Sequence, residues 1–173
     1  STAVTVMAHT SLGSGPFALF GTEKQKENYL TKLSKGEMIG AFGLTEPNAG
    51  SDAGNTQTVA ILKDDKFIVN GQKVFCTNAG VAGVIIFTAQ IIENDENKGI
   101  GALFVDAKTK GLKLGPPENK MGWKGSDTRS VYFDQMEISS NNILGEPNKG
   151  FKQFLKTLTG GRISIAALSL GIC

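Results

Sequence analysis

The sequence predicts a mainly β chain (α+β overall): an antiparallel, barrel-like middle domain flanked by helical segments at both ends. Between Met38 and Ser139, short apolar or β-branched runs recur at strand length, separated by Gly, Asn and Asp. Before and after this stretch, apolar residues recur at helical spacing instead. Strands do not alternate with long helices, which disfavours a doubly wound nucleotide fold. The expected divisions are residues 1–37, 38–140 and 141–173.

Thr2 to Thr10 reads as the inside of a helix, and Gly13-Ser14-Gly15-Pro16 is expected to separate it from the next. Thr22-Glu23-Lys24-Gln25 has the form of a capping box, whose first and fourth side chains satisfy each other's free backbone donors. Tyr29, Leu30 and Leu33 then share a face, Lys32 and Lys35 fall in the last turn, and Gly36 stops the helix. Met38 to Leu44 is an apolar run without helical period. Thr56 to Leu62 is a second strand, closed by a turn at Asp64-Asp65. Phe67 to Val69 leads into Asn70-Gly71, read as a hairpin because both positions tolerate positive φ, with Lys73 to Thr77 returning. Val84 to Ile91, Ala102 to Val105, Leu112 to Leu114 and Ser130 to Ile138 are further strands. From Pro147 the period is helical: Phe151, Phe154, Leu155, Leu158, then Ile163, Ala166, Ala167 and Leu170 beyond a glycine-weakened waist at Gly160-Gly161.

Composition narrows the functional classes. Hydrophobic residues at 40% and charged residues at 20% fit a globular chain rather than a disordered one. The 18 basic and 16 acidic residues are interspersed, so no clustered basic face suggests nucleic acid. No apolar run reaches the ~20 residues of a membrane span; Val81 to Ile92 is interrupted by Gly83, Thr88 and Gln90. The first residues have no secretory pattern. Two cysteines make no disulfide framework, so a reducing, intracellular setting is expected. No His/Cys cluster has metal-ligand spacing. The chain opens without Met and closes in mid-pattern at Ile172-Cys173, and is expected to be a fragment of a longer one.

The most unusual segment is Phe42-Gly43-Leu44-Thr45-Glu46-Pro47-Asn48-Ala49-Gly50-Ser51-Asp52. A strand ends here in a loop of small, turn-forming residues that presents backbone groups and the hydroxyls of Thr45 and Ser51. An ordinary β turn has the same composition. The segment closely resembles the signature of the acyl-CoA dehydrogenase family. The resemblance continues through Asn70-Gly71-Gln72-Lys73-Val74-Phe75-Cys76-Thr77-Asn78, Met121-Gly122-Trp123-Lys124-Gly125-Ser126-Asp127-Thr128-Arg129 and Gly160-Gly161-Arg162-Ile163, and so covers essentially the whole chain.

That resemblance implies FAD as cofactor and an acyl-CoA as substrate. It places Phe42, Leu44 and Thr45 against the isoalloxazine, with Thr45 hydrogen-bonding the ring. Ser51 would meet flavin phosphate or the acyl-CoA. Phe75 would stack on the flavin face opposite the substrate, where relatives usually carry Trp, and Thr77 would lie near flavin N5. Arg162 would meet the CoA portion. Strand alternation agrees in part, since Phe75 and Thr77 share one face, as do Phe42 and Leu44; a half-buried strand with a satisfied Thr has the same pattern. Cys76 points the other way and reads as buried structure.

In the family a Glu carboxylate removes the α proton of the thioester while the β hydride passes to flavin N5, giving a trans-2-enoyl-CoA. Electrons leave to an electron-transferring flavoprotein, and the intact proteins are tetramers of the bacterial cytoplasm or mitochondrial matrix. Gly161 stands where isovaleryl-type members carry that Glu, so no catalytic residue is assigned to this chain. Thr159 stands where relatives often carry Asp, which leaves a substrate contact there without its usual group. The last glycine motif most resembles short-chain, butyryl-type members. Two other readings stay open: an acyl-CoA oxidase-like flavoenzyme that passes electrons to oxygen, and a catalytically silent β module used for binding or assembly. His9 is read as a packing residue, Glu46 as a turn residue and Trp123 as core.

Overall fold

The computed structural model describes residues 2–173. Helix α1 (Thr2–Met7) runs through a wide π-type segment (Ala8–Ser14) into α2 (Gly15–Phe20) without a break. The expected separation at Gly13 to Pro16 is therefore absent. Pro16 lies at the start of α2, and its missing N–H falls where the wide π-type segment gives way to α-helix. The wide turn is matched by the Ser14 hydroxyl, which donates five residues back to the His9 carbonyl at 3.1 Å. Gly13 allows the helix to touch β1: a Cβ there would lie 2.7 Å from the Gly40 carbonyl carbon.

After Gly21 the chain turns into α3 (Glu23–Gln25), a second π-type segment (Lys26–Leu30) and α4 (Thr31–Ser34). The capping box is formed as read. The Gln25 N–H donates to Thr22 Oγ1 at 3.2 Å, and the Thr22 N–H donates to Gln25 Oε1 at 2.9 Å. Gly36 has φ +72, the left-handed stop the sequence required.

Eight strands follow: β1 (Gly40–Gly43), β2 (Val59–Lys63), β3 (Lys66–Thr77), β4 (Val84–Glu93), β5 (Glu96–Asp106), β6 (Leu112–Pro117), β7 (Thr128–Ser139) and β8 (Ile143–Leu144). They form one sheet in the order β6-β7-β3-β2-β4-β5-β8, with β1 beside β4. The sheet is curved around a core but not closed, since β6 and β8 end it. Pairing is antiparallel except that β1 and β2 both run parallel to β4. The central position of β4 explains its composition. Val84 to Phe87 are buried on both faces, so this part of the strand reads as a continuous apolar run rather than an alternation.

The Asn70-Gly71 hairpin does not form. Residues 66–77 are one strand, and the hairpins turn instead at Asp64-Asp65 (φ 47 and 60) and Asn94-Asp95 (φ 51 and 61). Asn70-Gly71 is a bulge, where the pairing of β3 with β7 slips between Val69 and Gly71. Asn70 Oδ1 accepts from the Gln135 backbone at 2.9 Å and from its side chain at 3.0 Å. Gly71 has φ +142, and the Thr58 hydroxyl lies 2.6 Å from where its Cβ would be. Of the two positions only Gly71 takes a positive φ, and it does so within a bulge rather than a reversal.

Two cores result. One fills the curved sheet, around Phe67, Val69, Ile85, Phe87, Leu103, Val105, Val131 and Met136. The other lies between sheet and helices, around Phe17, Leu33, Val84, Ile86, Phe104, Leu144 and Phe154. In it Phe17, Tyr29 and Phe104 form a triangle with ring centroids 5.0 to 5.2 Å apart. The last helix, α5 (Gly150–Ile172), packs its first half here and passes unbroken through Gly160-Gly161. Its second half exposes Ile163, Ile165, Leu170 and Ile172.

Candidate functional site

Two adjoining cavities open where β1, β3, α1 and α5 meet. The smaller, about 150 Å³, is lined by Phe42, Leu44, Thr45, Val74, Phe75 and Thr77 from the strands, with Ala8, Leu12 and Leu158 from the helices. The larger, about 640 Å³, shares Ala8, Leu12, Phe75, Thr77 and Leu158 with it. It extends past Val4, Met7, Trp123 and Ile165 to Lys120, Ser126, Thr128 and Arg162. Its wall is mainly apolar, with few convergent polar groups, the usual character of a small-molecule site.

Phe75 holds the junction of the two cavities. The ladder with β7 slips between Lys73 and Cys76, and Phe75 sits in that gap with φ +56. A left-handed aromatic residue is a genuine backbone outlier. The ring is 64% exposed, so core packing does not offset the strain. Strain of this kind concentrates at ligand sites. Cys76 is buried on the other side, where its thiol donates to the Phe42 carbonyl at 3.2 Å. Burial, only partly offset by the Lys73 ammonium, pushes that thiol up to about 12. It is a structural cysteine rather than a nucleophile.

The base of Thr45 is fixed by a buried ion pair that the sequence reading did not find. Glu46, read as a turn residue, and Lys73 are 3% and 0% exposed in their side chains and meet at 2.6 Å. Lys73 Nζ also donates to Thr88 Oγ1 at 2.9 Å and to the Leu44 carbonyl at 3.4 Å. The Glu46 carboxylate accepts from the Thr58 hydroxyl at 2.6 Å and from the Gln57 and Thr58 backbone N–H groups at 2.6 and 3.1 Å. Burial pushes the Glu46 carboxyl up, but the Lys73 ammonium and the Thr58 hydroxyl outweigh it and hold it below the usual carboxylate value. The only sequence signal was the pairing of two charges with strand-forming surroundings, which periodicity does not single out.

At the far end of the larger cavity, the Ser126 hydroxyl is buried with no protein partner. Lys120 reaches over it to the Ser126 carbonyl and donates to Thr128 Oγ1 at 2.9 Å. Asp127 points away. Its carboxylate accepts from Arg129 Nε at 2.8 Å and from the Gly80 N–H at 2.6 Å. Trp123, read as core, is instead 46% exposed, with φ +50, and lines the cavity.

A family model for the acyl-CoA dehydrogenase middle domain matches residues 41–136, more than half of the chain, and one for the N-terminal domain of the same family matches residues 1–37. The chain belongs to the acyl-CoA dehydrogenase family. A probable acyl-CoA dehydrogenase of Bacillus subtilis is 50% identical over 173 residues, 46% of its own length. A short-chain specific acyl-CoA dehydrogenase of Clostridium acetobutylicum is 46% identical over 172 residues, 45% of its length. The chain thus spans less than half of these curated relatives. The solved butyryl-CoA dehydrogenase of Megasphaera elsdenii superposes with a TM-score of 0.92 at 44% identity, covering 98% of this chain and 44% of that one. An acyl-CoA dehydrogenase of Bacillus anthracis complexed with FAD superposes with a TM-score of 0.87 at 37% identity, covering 93% and 27%.

The residues proposed for the cofactor divide in space. Phe42, Leu44, Thr45, Phe75 and Thr77 come together on the smaller cavity. Ser51 does not join them; it is exposed on the loop after the Glu46–Ala49 bridge and lines neither cavity. Arg162 lines the larger cavity from α5. His9 lies outside both and ties helix to sheet: its Nδ1 accepts from the Gly40 N–H at 3.1 Å, so Nε2 donates to the Leu33 carbonyl at 3.0 Å. Among the described residues no group of carboxylates, His and Cys has the arrangement to hold a metal, and no helix is long and apolar enough to cross a membrane.

Proposed function

We propose that the intact protein is an FAD-dependent acyl-CoA dehydrogenase and that this chain supplies the flavin-facing half of its site. The observation that carries the reading is Phe75. An exposed, left-handed aromatic ring forms one wall of a cavity that also presents the Thr45 and Thr77 hydroxyls. A flat apolar surface with hydroxyls beside it suits a planar ring with a polar edge. The chemistry that a bound flavin supplies there is two-electron oxidation of the Cα–Cβ bond of an acyl thioester.

The remaining steps are divided among residues of the chain. Phe75 presents its face to the ring system, while Thr45 and Thr77 orient the polar edge. Val4, Met7, Leu12 and Ile165 exclude water along the larger cavity, where the acyl portion lies. The unpartnered Ser126 hydroxyl, Lys120 and Arg162 offer donors to the polar portion of a CoA ester. No Asp or Glu lines either cavity among the described residues, so the proton-abstracting carboxylate comes from outside them. Ser51 is proposed to reach phosphate from the exposed loop. Divisions at 1–37, 38–140 and 141–173, a tetrameric assembly, a bacterial cytoplasmic or mitochondrial matrix location and an electron-transferring flavoprotein as acceptor complete the proposal.

The test is an assay of the full-length protein with butyryl- to octanoyl-CoA. Flavin bleaching by at least one of them, coupled to an artificial acceptor, is expected. No flavin reduction by any acyl-CoA would sink the proposal, and stoichiometric peroxide in air would replace the dehydrogenase reading with an oxidase.

A further inference from the structure

Beneath the cavity floor, the Lys73–Glu46 pair joins β3 to the loop after β1 and to Thr58, just before β2, with Thr88 of β4 closing the network. We propose that Lys73 and Glu46 are positioning residues of the flavin site, and that their buried bonds set the Thr45 wall against the Phe75 wall. This rests on the flavin reading above.

The geometry supports a directional role. Lys73 has three N–H donors and three acceptors: Glu46 Oε1, Thr88 Oγ1 and the Leu44 carbonyl. Two of the acceptors flank Thr45 on the segment after β1 and the third lies on β4, so the ammonium of β3 fixes that segment against both strands. Leu44 and Thr45 line the cavity and immediately precede Glu46 in the chain. One residue past Lys73, the Val74 N–H donates to the Thr45 carbonyl at 2.8 Å, and Phe75 follows directly. The two cavity walls are therefore joined twice, once through the ion pair and once through the Val74 bond beside it.

Stability alone gives little reason for such a pair. Removing two charges from water costs about as much as their attraction returns, and well-packed apolar replacements are often neutral or stabilising. An apolar pair, however, fills the volume without aiming anything. In its place Thr45 and the Phe75 bulge lose the bonds that hold their separation, while the sheet behind them keeps its ladders.

The experiment compares the chain with a Lys73→Met/Glu46→Leu double variant and with Thr88→Val. Thermal unfolding reports the fold. NMR hydrogen exchange compares the Val74 amide with the amides of the β4–β5 ladder. Titration with FAD, followed by flavin fluorescence, reports the site. The double variant is expected to melt lower than the parent but still cooperatively, because Leu at position 46 leaves the Gln57 and Thr58 N–H groups without their acceptor. Its Val74 amide should exchange about tenfold faster while the β4–β5 amides stay unchanged, and its FAD dissociation constant should rise about tenfold. Thr88→Val should raise Val74 exchange in the same direction. An unchanged Val74 amide in either folded variant, or an equal rise at every amide, overturns the positioning role. A selective rise at Val74 in a chain whose parent perturbs no flavin signal overturns the flavin reading and leaves the pair as the link between the two walls.

Discussion

The rings of Phe42 and Phe154 stack with centroids 4.1 Å apart and an interplanar angle of 26°. Phe42 closes β1 and lines the smaller cavity, and Phe154 is the fully buried anchor of α5. The contact therefore sets the distance between the strand that leads into Thr45 and the helix that carries Leu158 and Arg162. Phe154→Ala should cost about 3–5 kcal/mol in denaturant unfolding, the transfer and cavity cost of a buried Phe. Phe42→Ala should cost less, because its ring is only half-buried. A double-mutant cycle should return a coupling of about 0.5–1.5 kcal/mol. Strict additivity would mean that the two rings do not support one another.

Glycine positions make an opposed pair of predictions. A Cβ on Gly13 would meet the Gly40 backbone at 2.7 Å, so helix and strand must move apart. Gly13→Ala should destabilise by about 1–3 kcal/mol despite the better helix propensity of Ala. Gly160 in α5 has no atom within 4 Å of such a Cβ. Gly160→Ala should stabilise by about 0.5–1 kcal/mol. Urea midpoints of the two variants should move in opposite directions, and a raised midpoint for Gly13→Ala would show that helix propensity outweighs the Gly13–Gly40 contact.

Most of the elements were legible because their signals are local. The capping box at Thr22 and Gln25 needs only four residues, and the strands of the β region announce themselves by β-branched runs. The failures were tertiary. Asn70-Gly71 carries a hairpin dipeptide, but Gln135 of β7 and Thr58, just before β2, engage it. Pro16 reads as a breaker, but a π-type turn ahead of it makes the helix continuous. At the site, Phe75 and Thr77 were legible from alternation and resemblance. The Glu46–Lys73 pair was not, because 27 residues separate two charges that either surface or core could hold. The left-handed backbone of Phe75 was invisible for a related reason: it arises from a register slip against β7, which no single segment encodes.

Acid should unfold the chain partly through Glu46. Its carboxyl is held below the usual value in the folded state. The unfolded chain therefore binds a proton more readily, and the stabilisation is complete above the unfolded value. It is lost as the pH falls through the lowered folded value. Glu46→Gln should flatten this part of the pH–stability curve, and should also cost about 3–5 kcal/mol near neutral pH by leaving Lys73 buried without its counter-charge. Chemical denaturation between roughly pH 7 and 3 checks both. An acid slope equal to that of the parent would remove Glu46 from the titration.

Phe75 offers the sharpest separation of stability from function. Its left-handed backbone costs about 1–2 kcal/mol for a residue with a Cβ, and its exposed ring returns little through packing. Asn tolerates this conformation far better. Phe75→Asn should therefore leave the unfolding midpoint unchanged or raise it, by up to about 1 kcal/mol. The same substitution removes the flat wall shared by both cavities, so FAD affinity should fall by about tenfold or more. A variant that melts lower and binds flavin as well as its parent would make Phe75 a packing residue, and the strain at position 75 would then have no ligand to account for it.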